Sequence, residues 1–128
     1  RYNIQMRLLG IDYGEAKIGL AFAESPLAEP LGIIDTRKCE RYITRICEEY
    51  KIEKIVLGLA EGQMGKRQKQ FAVKLRKLID LPVEFQEEVL TSQEAISKMR
   101  QIGRRIKDED AFAAALILQA YLDRLERS

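Results

Sequence analysis

Two short apolar runs flank a polar turn in residues 6–23, which read MRLLGIDYGEAKIGLAFA. The first run, residues 6–11, predicts a strand, and the Asp-Tyr-Gly sequence at 12–14 predicts the turn after it. The second run, residues 18–23, predicts a second strand. Because the connection is short and contains glycine, the two strands are expected to form an antiparallel hairpin.

The remaining sequence alternates helical and strand patterns. Residues 25–30 predict a loop, residues 31–35 a third strand, 55–59 a strand covered on both faces, 61–65 a glycine-rich loop and 82–86 a fifth strand. Four helices are predicted: one from Lys38, with Ile43, Ile46, Cys47 and Tyr50 on one face; a second with Phe71, Leu75, Leu78 and Ile79 facing inward; a third from Thr91, with Ile96, Met99 and Ile102; and a last one from Asp108, with an apolar stripe of Ala111, Ala114, Ala115, Leu118, Leu122 and Leu125.

This order predicts an α/β fold with a mixed five-stranded sheet flanked by helices. Its first three strands are antiparallel, and helix, strand, helix, strand and two helices follow. The 128 residues, 46% hydrophobic and 33% charged, suit one globular domain. We expect that domain to span residues 6–128, with residues 1–5 as a flexible or appended tail before Met6. No apolar run approaches the roughly 20 residues of a membrane span, and no signal peptide is evident, so a cytoplasmic location is expected.

The chain contains no histidine, which excludes serine or cysteine catalysis with a histidine base and histidine-ligated zinc. The two cysteines, Cys39 and Cys47, lie eight residues apart in one predicted helix, too far for a disulfide. We expect both to be reduced thiols. Any hydrolytic chemistry must therefore depend on carboxylates.

Acidic residues stand at the ends of several predicted elements. Asp12 ends the first strand, Glu87 and Glu88 follow the fifth, and residues 108–110 (Asp-Glu-Asp) begin the last helix. Carboxylates gathered at strand ends could hold Mg²⁺ or Mn²⁺, which prefer oxygen ligands. Each acid also has an ordinary interpretation, as a turn residue, a loop acid or a favourable charge at a helix N-terminus. Spacing along the chain does not decide between these interpretations.

Basic residues are concentrated in one third of the chain. Residues 66–107 carry 11 basic and 5 acidic side chains, whereas residues 1–65 carry 9 and 10. Such a segment suits a phosphate backbone, although a solvated helix surface has the same composition. The candidate nucleic-acid-binding residues are Lys17, Lys66, Arg67, Arg104, Arg105 and Lys107, with Lys69 as a further basic position. The glycine-led link at 103–107 is a candidate mobile flap.

The segment GIDYGEAKIGLA at residues 10–21 resembles the opening hairpin of the YqgF family, also called RuvX. The resemblance continues in the same order through IVLGL at 55–59, Gly65, Phe71-Ala72, Pro82-Val83, EEVLTS at 87–92 and the last helix from Asp110 to Gln119. It covers residues 6–123. Three positions depart from the family pattern: Glu87 stands where Asp is usual, Val89 replaces an Arg, and Lys17 stands where Arg is common.

The resemblance implies a ribonuclease H-like fold and a metal-dependent nuclease. By analogy, Asp12, Glu88 and Asp110 would hold two Mg²⁺ or Mn²⁺ ions at the scissile phosphodiester, with Glu87 as the alternative to Glu88. The implied substrate is the 5′ end of pre-16S rRNA, in ribosome biogenesis, or branched DNA such as a Holliday junction. The implied partners are nucleic acid and the ribosome or its small-subunit precursor. Endonuclease or exonuclease action, and monomer or homodimer, stay open.

Two other classes compete with a nuclease. The Asp-x-Gly-x-x-x-x-Gly pattern at 12–19 also resembles the phosphate hairpin of actin-like and sugar-kinase ATPases, but those need a second domain that 128 residues cannot supply. A catalytically weak RNA-binding assembly factor with the same fold is the other alternative. The first would bind ATP, and the second would bind RNA without cleaving it.

Overall fold

The computed structural model describes residues 6–88 and 109–127, and in the second range the side chains of residues 111–126. In chain order its elements are β1 (Leu8–Tyr13), β2 (Lys17–Ala23), β3 (Glu29–Asp35), a 3₁₀ turn (Thr36–Lys38), α1 (Cys39–Glu49), β4 (Lys54–Leu59), α2 (Gly62–Leu78), β5 (Val83–Glu87) and α3 (Glu109–Arg127). Several predictions lie outside the described residues: the tail at 1–5, the departure Val89, the helix from Thr91, the flap at 103–107 with Arg104, Arg105 and Lys107, and the helix start at Asp108.

The five strands form one mixed sheet in the order β3-β2-β1-β4-β5. The predicted hairpin is confirmed: β1 and β2 pair antiparallel, with Asp12 opposite Gly19, and β3 continues the antiparallel pairing on the other side of β2. Both β4 and β5 run parallel to β1, with Ile11 beside Leu57 and Leu59 beside Glu87. The carboxyl ends of β1, β4 and β5 therefore lie at one edge of the sheet.

The sheet is covered on both faces. Helices α1 and α2 pack on one face, where Ile43, Phe71 and Leu75 meet Leu9, Ile11, Ile55 and Leu57 of the strands. Helix α3 packs on the other face, where Ala114, Leu118 and Tyr121 meet Leu8 and Val56. A Cβ built on Gly10 would lie 2.9 Å from Cβ of Leu118, so the absent side chain allows α3 to approach β1 closely. The predicted apolar stripe of the last helix is confirmed: five of its six members are buried, and Leu125 is partly buried.

Some local predictions are wrong. Strand β1 continues to Tyr13, so Asp12 and Tyr13, predicted as part of the turn, pair with Gly19 and Ile18. Strand β3 begins at Glu29, so Pro30 is part of this edge strand rather than of a loop; an edge position suits proline, which has no N–H to donate. The predicted glycine-rich loop at 61–65 is largely helical, because α2 begins at Gly62. Leu78, predicted to face inward, is 49% exposed at the end of α2, and Ile79 just beyond it is buried.

A polar network ties α3 to the amino-terminal ends of β4 and β5. Lys54 donates from Nζ to the Tyr121 hydroxyl (3.0 Å), which donates to Oε1 of Glu84 (2.8 Å). Lys54 Nζ also lies 3.1 Å from Oε2 of Glu84. Arg124 stacks over the Tyr121 ring at 5.2 Å from its centroid. The network satisfies the hydroxyl of a tyrosine that is 1% exposed.

The two cysteines are free, as predicted, and both are buried in α1. Burial raises the pKa of the Cys39 thiol, and it raises that of Cys47 to about 11. Among the helices that the structure describes, none has the length and apolar character needed to cross a membrane.

Candidate active site

Asp12 lies on the α3 face of the sheet, near the carboxyl end of β1. Its neighbour two residues back, Gly10, faces Leu118 and Ala114 of α3, and side chains two apart in a strand share a face. Asp12 is half-buried. A concave space of about 240 Å³, lined by residues 12–17, opens beside it. The hairpin therefore presents one carboxylate at the sheet edge where β1, β4 and β5 end.

Glu88 follows β5 directly and places a second carboxylate at the same edge. Its backbone N–H donates to the carbonyl of Leu59 (3.1 Å), which continues the β4–β5 ladder by one residue. Its Oε2 would lie 3.0 Å, and its Cγ 3.3 Å, from a Cβ built on Gly58. The Glu88 side chain therefore lies over Gly58, in space that any other residue at 58 would fill.

Asp12 and Glu88 thus flank β4 at a point where β4 has no side chain. Strands are about 4.8 Å apart, so the backbones of β1 and β5 are roughly 10 Å apart across β4. The Glu88 side chain extends over Gly58 into this gap. The family resemblance implied a shared site for these acids, and the structure places Asp12 and Glu88 on one face and at one edge of the sheet.

Glu87 does not share this position. It is exposed, and alternation along β5 places it on the face that Val83 and Phe85 share, against the α1 and α2 core. Of the two candidates that the sequence left open, Glu88 is the one that shares a sheet face with Asp12.

Helix α3 begins at the same edge. Ala114 and Ile117 lie against Gly10 and Gly58 near this edge, whereas Tyr121 reaches Lys54 at the opposite edge. The first turn of α3, which contains position 110, therefore lies toward the ends of β1, β4 and β5. The side chain of Asp110 lies outside the described residues.

Gln68 is a site residue that the sequence reading missed. It is fully buried in α2, its Nε2 donates to Oε2 of Glu88 (3.1 Å), and its Oε1 accepts from the Ala60 N–H (2.7 Å). The signal was available: position 68 belongs to the inward stripe formed with Gly65, Phe71, Ala72 and Leu75. An amide on an apolar stripe requires a polar partner, and that partner is Glu88.

The donor chemistry of this edge fits a hard divalent cation. Asp12 and Glu88 offer oxygen ligands, and in the described part of the chain no Lys or Arg pairs with Glu88. Gln86, which pairs with Gly58, is 8% exposed, and its Oε1 accepts no hydrogen bond within the described residues. A metal-bound water is a donor that would satisfy such an acceptor. Among the side chains described, no three acids or cysteines cluster closely enough to hold a metal.

The described basic candidates lie around this edge. Lys17 is exposed on β2. Gly19 pairs with Asp12, and Lys17 lies two residues before Gly19, so Lys17 and Asp12 are on the same face of the sheet. Lys66 is exposed near the start of α2. Arg67 is also exposed and forms an ion pair with Glu15 of the β1–β2 turn.

The chain is similar to known proteins along nearly its whole length. The sequence model of the RuvX family, described as "Holliday junction resolvase", matches residues 6–124. Proteins named "Putative pre-16S rRNA nuclease" are similar along nearly the whole chain. One from Syntrophomonas wolfei is 36% identical over 92% of this chain and 94% of its own. Another, from Streptococcus mutans, is 34% identical over 94% and 99%.

Two solved structures share the fold. The Thermus thermophilus RuvC in complex with a Holliday junction substrate has a TM-score of 0.61 at 15% identity and covers 93% of this chain and 96% of its own. The fowlpox virus resolvase in complex with Holliday junction DNA has a TM-score of 0.62 at 15% identity, covering 94% and 99%. The expected ribonuclease H-like architecture is confirmed. From its hairpin to its last helix, the chain belongs to the RuvX family.

Proposed function

We propose that this protein is a metal-dependent nuclease that hydrolyses phosphodiester bonds in pre-16S rRNA, at the 5′ end of the small-subunit precursor. The observation that carries the proposal is the placement of Asp12 and Glu88 on one face and one edge of the sheet, across Gly58. The names of the relatives support the reaction class and the RNA substrate. The carboxylates account for hydrolysis in a chain without histidine.

Asp12, Glu88 and Asp110 are the proposed ligands of two Mg²⁺ or Mn²⁺ ions. Bound there, the ions would lower the pKa of the attacking water and stabilise the leaving oxygen. The chain's own contribution is placement. Strand β1 holds Asp12 by its ladder to β2, and Gly58 leaves room for the Glu88 carboxylate. The first turn of α3 supplies the position of Asp110 at the same edge.

Lys17, Lys66 and Arg67 are the proposed phosphate-binding residues in the described part of the chain. The two exposed lysines can follow a nucleic-acid backbone as mobile point charges. Arg67 is held by Glu15, so a substrate phosphate must compete with that carboxylate for the guanidinium. Arg104, Arg105 and Lys107 complete the set from the sequence.

Branched DNA is the second candidate substrate. The family description, "Holliday junction resolvase", is the observation that favours it. A symmetric junction requires two active sites, so this activity would require a homodimer, whereas trimming of an RNA end requires one site. Oligomeric state under assay conditions therefore bears on the choice of substrate.

The test compares Asp12→Asn with Asp80→Asn, a matched change at an exposed acid in the α2–β5 connection. We expect the wild type and Asp80→Asn to cleave an RNA spanning the 5′ end of 16S rRNA, or a four-way DNA junction, with Mg²⁺ or Mn²⁺. Asp12→Asn should lose at least about 100-fold in rate while remaining folded by circular dichroism. Equal rates for both variants would contradict the assignment. RNA binding without cleavage by the wild type would favour the assembly-factor alternative.

A further inference from the structure

Gln68 is a fully buried amide in an otherwise apolar stripe of α2. Burying an amide without partners is costly, and hydrophobic residues occupy the neighbouring inward positions at no such cost. The amide sits where α2, the β4–α2 connection and the end of β5 meet. Its two partners, Ala60 and Glu88, belong to two of these segments.

The orientation of the amide is fixed by its partners. The Ala60 N–H is a donor, so it requires the amide oxygen, and the contact of 2.7 Å is made by Oε1. The nitrogen must then face the opposite way, toward Oε2 of Glu88 at 3.1 Å. An amide rotated by 180° would place two donors together at Ala60 and two acceptors together at Glu88. Gln68 therefore always presents a donor to the Glu88 carboxylate.

A neutral donor suits a carboxylate that binds a cation. An Arg or Lys at this position would place a positive charge beside the proposed ion site and compete with the cation. The amide donates to Oε2 and adds no charge, and none of the described side chains donates to Oε1 of Glu88. Hydrogen-bond partners of metal ligands orient those ligands in this way.

We propose that Gln68 is a positioning residue that orients the Glu88 carboxylate for the divalent cation, an inference that rests on the function proposed above. Gln68 would act through Glu88 and not as a ligand itself. Gln68 links Ala60 of the β4–α2 connection to Glu88. The position of Glu88 therefore depends on α2, which covers the opposite face of the sheet.

The test is a thermodynamic cycle on Mn²⁺ affinity, measured by the electron paramagnetic resonance signal of free Mn²⁺. The four proteins are the wild type, Gln68→Met, Glu88→Ala and the double variant. Methionine keeps the length of the side chain and removes both hydrogen bonds. We expect Gln68→Met to weaken Mn²⁺ binding about tenfold or more. In the Glu88→Ala background the same change should have less than about a twofold effect.

Gln70→Met is the matched control, because Gln70 is exposed on the same helix. Its Mn²⁺ affinity should stay within about twofold of the wild type. If Gln68→Met does not fold, Gln68→Asn is the second variant; its shorter amide cannot reach both partners, and a smaller loss of affinity in the same direction is expected.

An unchanged affinity in folded Gln68→Met, or an equal loss with and without Glu88, would overturn the positioning role alone. A wild type that binds no Mn²⁺, or an Asp12→Asn variant that binds it as tightly, would overturn the proposed metal site and the positioning role with it. The two failures are therefore distinguishable.

Discussion

The substitution Gly58→Ala tests the site through the packing that creates it. An added Cβ would lie 2.6 Å from Cδ1 of Ile117, against an ordinary carbon–carbon contact of about 3.5–4.0 Å. The overlap is about 1 Å, and Ile117 is 6% exposed, so its side chain has little open space to enter. The same Cβ would crowd Oε2 and Cγ of Glu88 at 3.0 and 3.3 Å.

Two effects decide the change in stability. Overpacking a core of this kind costs about 1–3 kcal/mol, whereas replacing glycine by alanine stabilises by about 0.4–1 kcal/mol through the unfolded chain. The expected net loss is about 1–2 kcal/mol, which corresponds to a fall in Tm of about 3–8 °C for a chain of this length. Because Glu88 must also move by a few tenths of an ångström, we expect Mn²⁺ affinity to fall about tenfold.

Thermal unfolding by circular dichroism and Mn²⁺ titration measure the two effects separately. Gly10→Ala is the matched control: its Cβ would crowd Leu118 (2.9 Å) and the backbone oxygen of Ala114 (3.2 Å) but no proposed ligand. Gly10→Ala should lose at least as much stability as Gly58→Ala, because a backbone atom moves less readily than the end of a side chain. It should lose less Mn²⁺ affinity than Gly58→Ala. If Gly10→Ala weakened Mn²⁺ binding as much as Gly58→Ala, the loss would reflect general loosening of α3, and the reasoning on Glu88 would fail.

Two further predictions concern groups away from the site. The pKa of Glu84 lies below its usual value of 4.5, chiefly because the Tyr121 hydroxyl donates to its carboxylate and also because of Lys54. The resulting stabilisation is present above pH 4.5 and is lost as the pH falls toward the lower folded-state pKa. Glu84→Gln should therefore remove this part of the acid dependence of the unfolding free energy, measured by urea unfolding at pH 3–7. Parallel plots of unfolding free energy against pH for the two proteins would refute the prediction. Burial raises the pKa of the Cys39 and Cys47 thiols. Neither should therefore react with a thiol reagent in the native protein at pH 7.5, and both should react in about 6 M guanidinium. Rapid labelling of the native protein would contradict this prediction.

The sheet could be predicted because its signals are local. The hairpin follows from two apolar runs around a short glycine-containing turn, and the parallel strand β4 from a continuous apolar run. The start of α2 was mispredicted because glycine normally ends helices. Here Gly65 is required inside the helix, since a Cβ at this position would clash with the Ala60 carbonyl oxygen. That contact depends on the β4–α2 turn and is absent from the sequence pattern.

The site could be predicted only in part. Asp12 and Glu88 stood out as acids at strand ends, but their proximity depends on strand order, and β4 lies between the strands that lead to them. Sequence separation gives no information on that order. The contributions of Gly58 and Gln68 were missed for different reasons. Gly58 contributes by having no side chain, and Gln68 contributes through a partner 20 residues away in the sequence.

The placement of α3 links the two ends of the sheet. At one edge Ile117 lies against Gly58 beside Glu88, and at the other Tyr121 is held by Lys54 and Glu84. At 1.5 Å per residue, position 110 lies about 16 Å along the helix axis from Tyr121, so a shift of the helix at the Tyr121 end is transmitted to its first turn. The network is therefore more than a stabilising contact. The Lys54–Tyr121–Glu84 network sets the position of α3 along its axis, and the first turn of α3 carries the proposed third ligand. The close packing at Gly10 and Gly58 sets the distance of α3 from the sheet. Contacts at both ends of α3 thus position the edge of the sheet that holds the proposed site. Of the residues involved, only the acids could be recognised in the sequence as candidates.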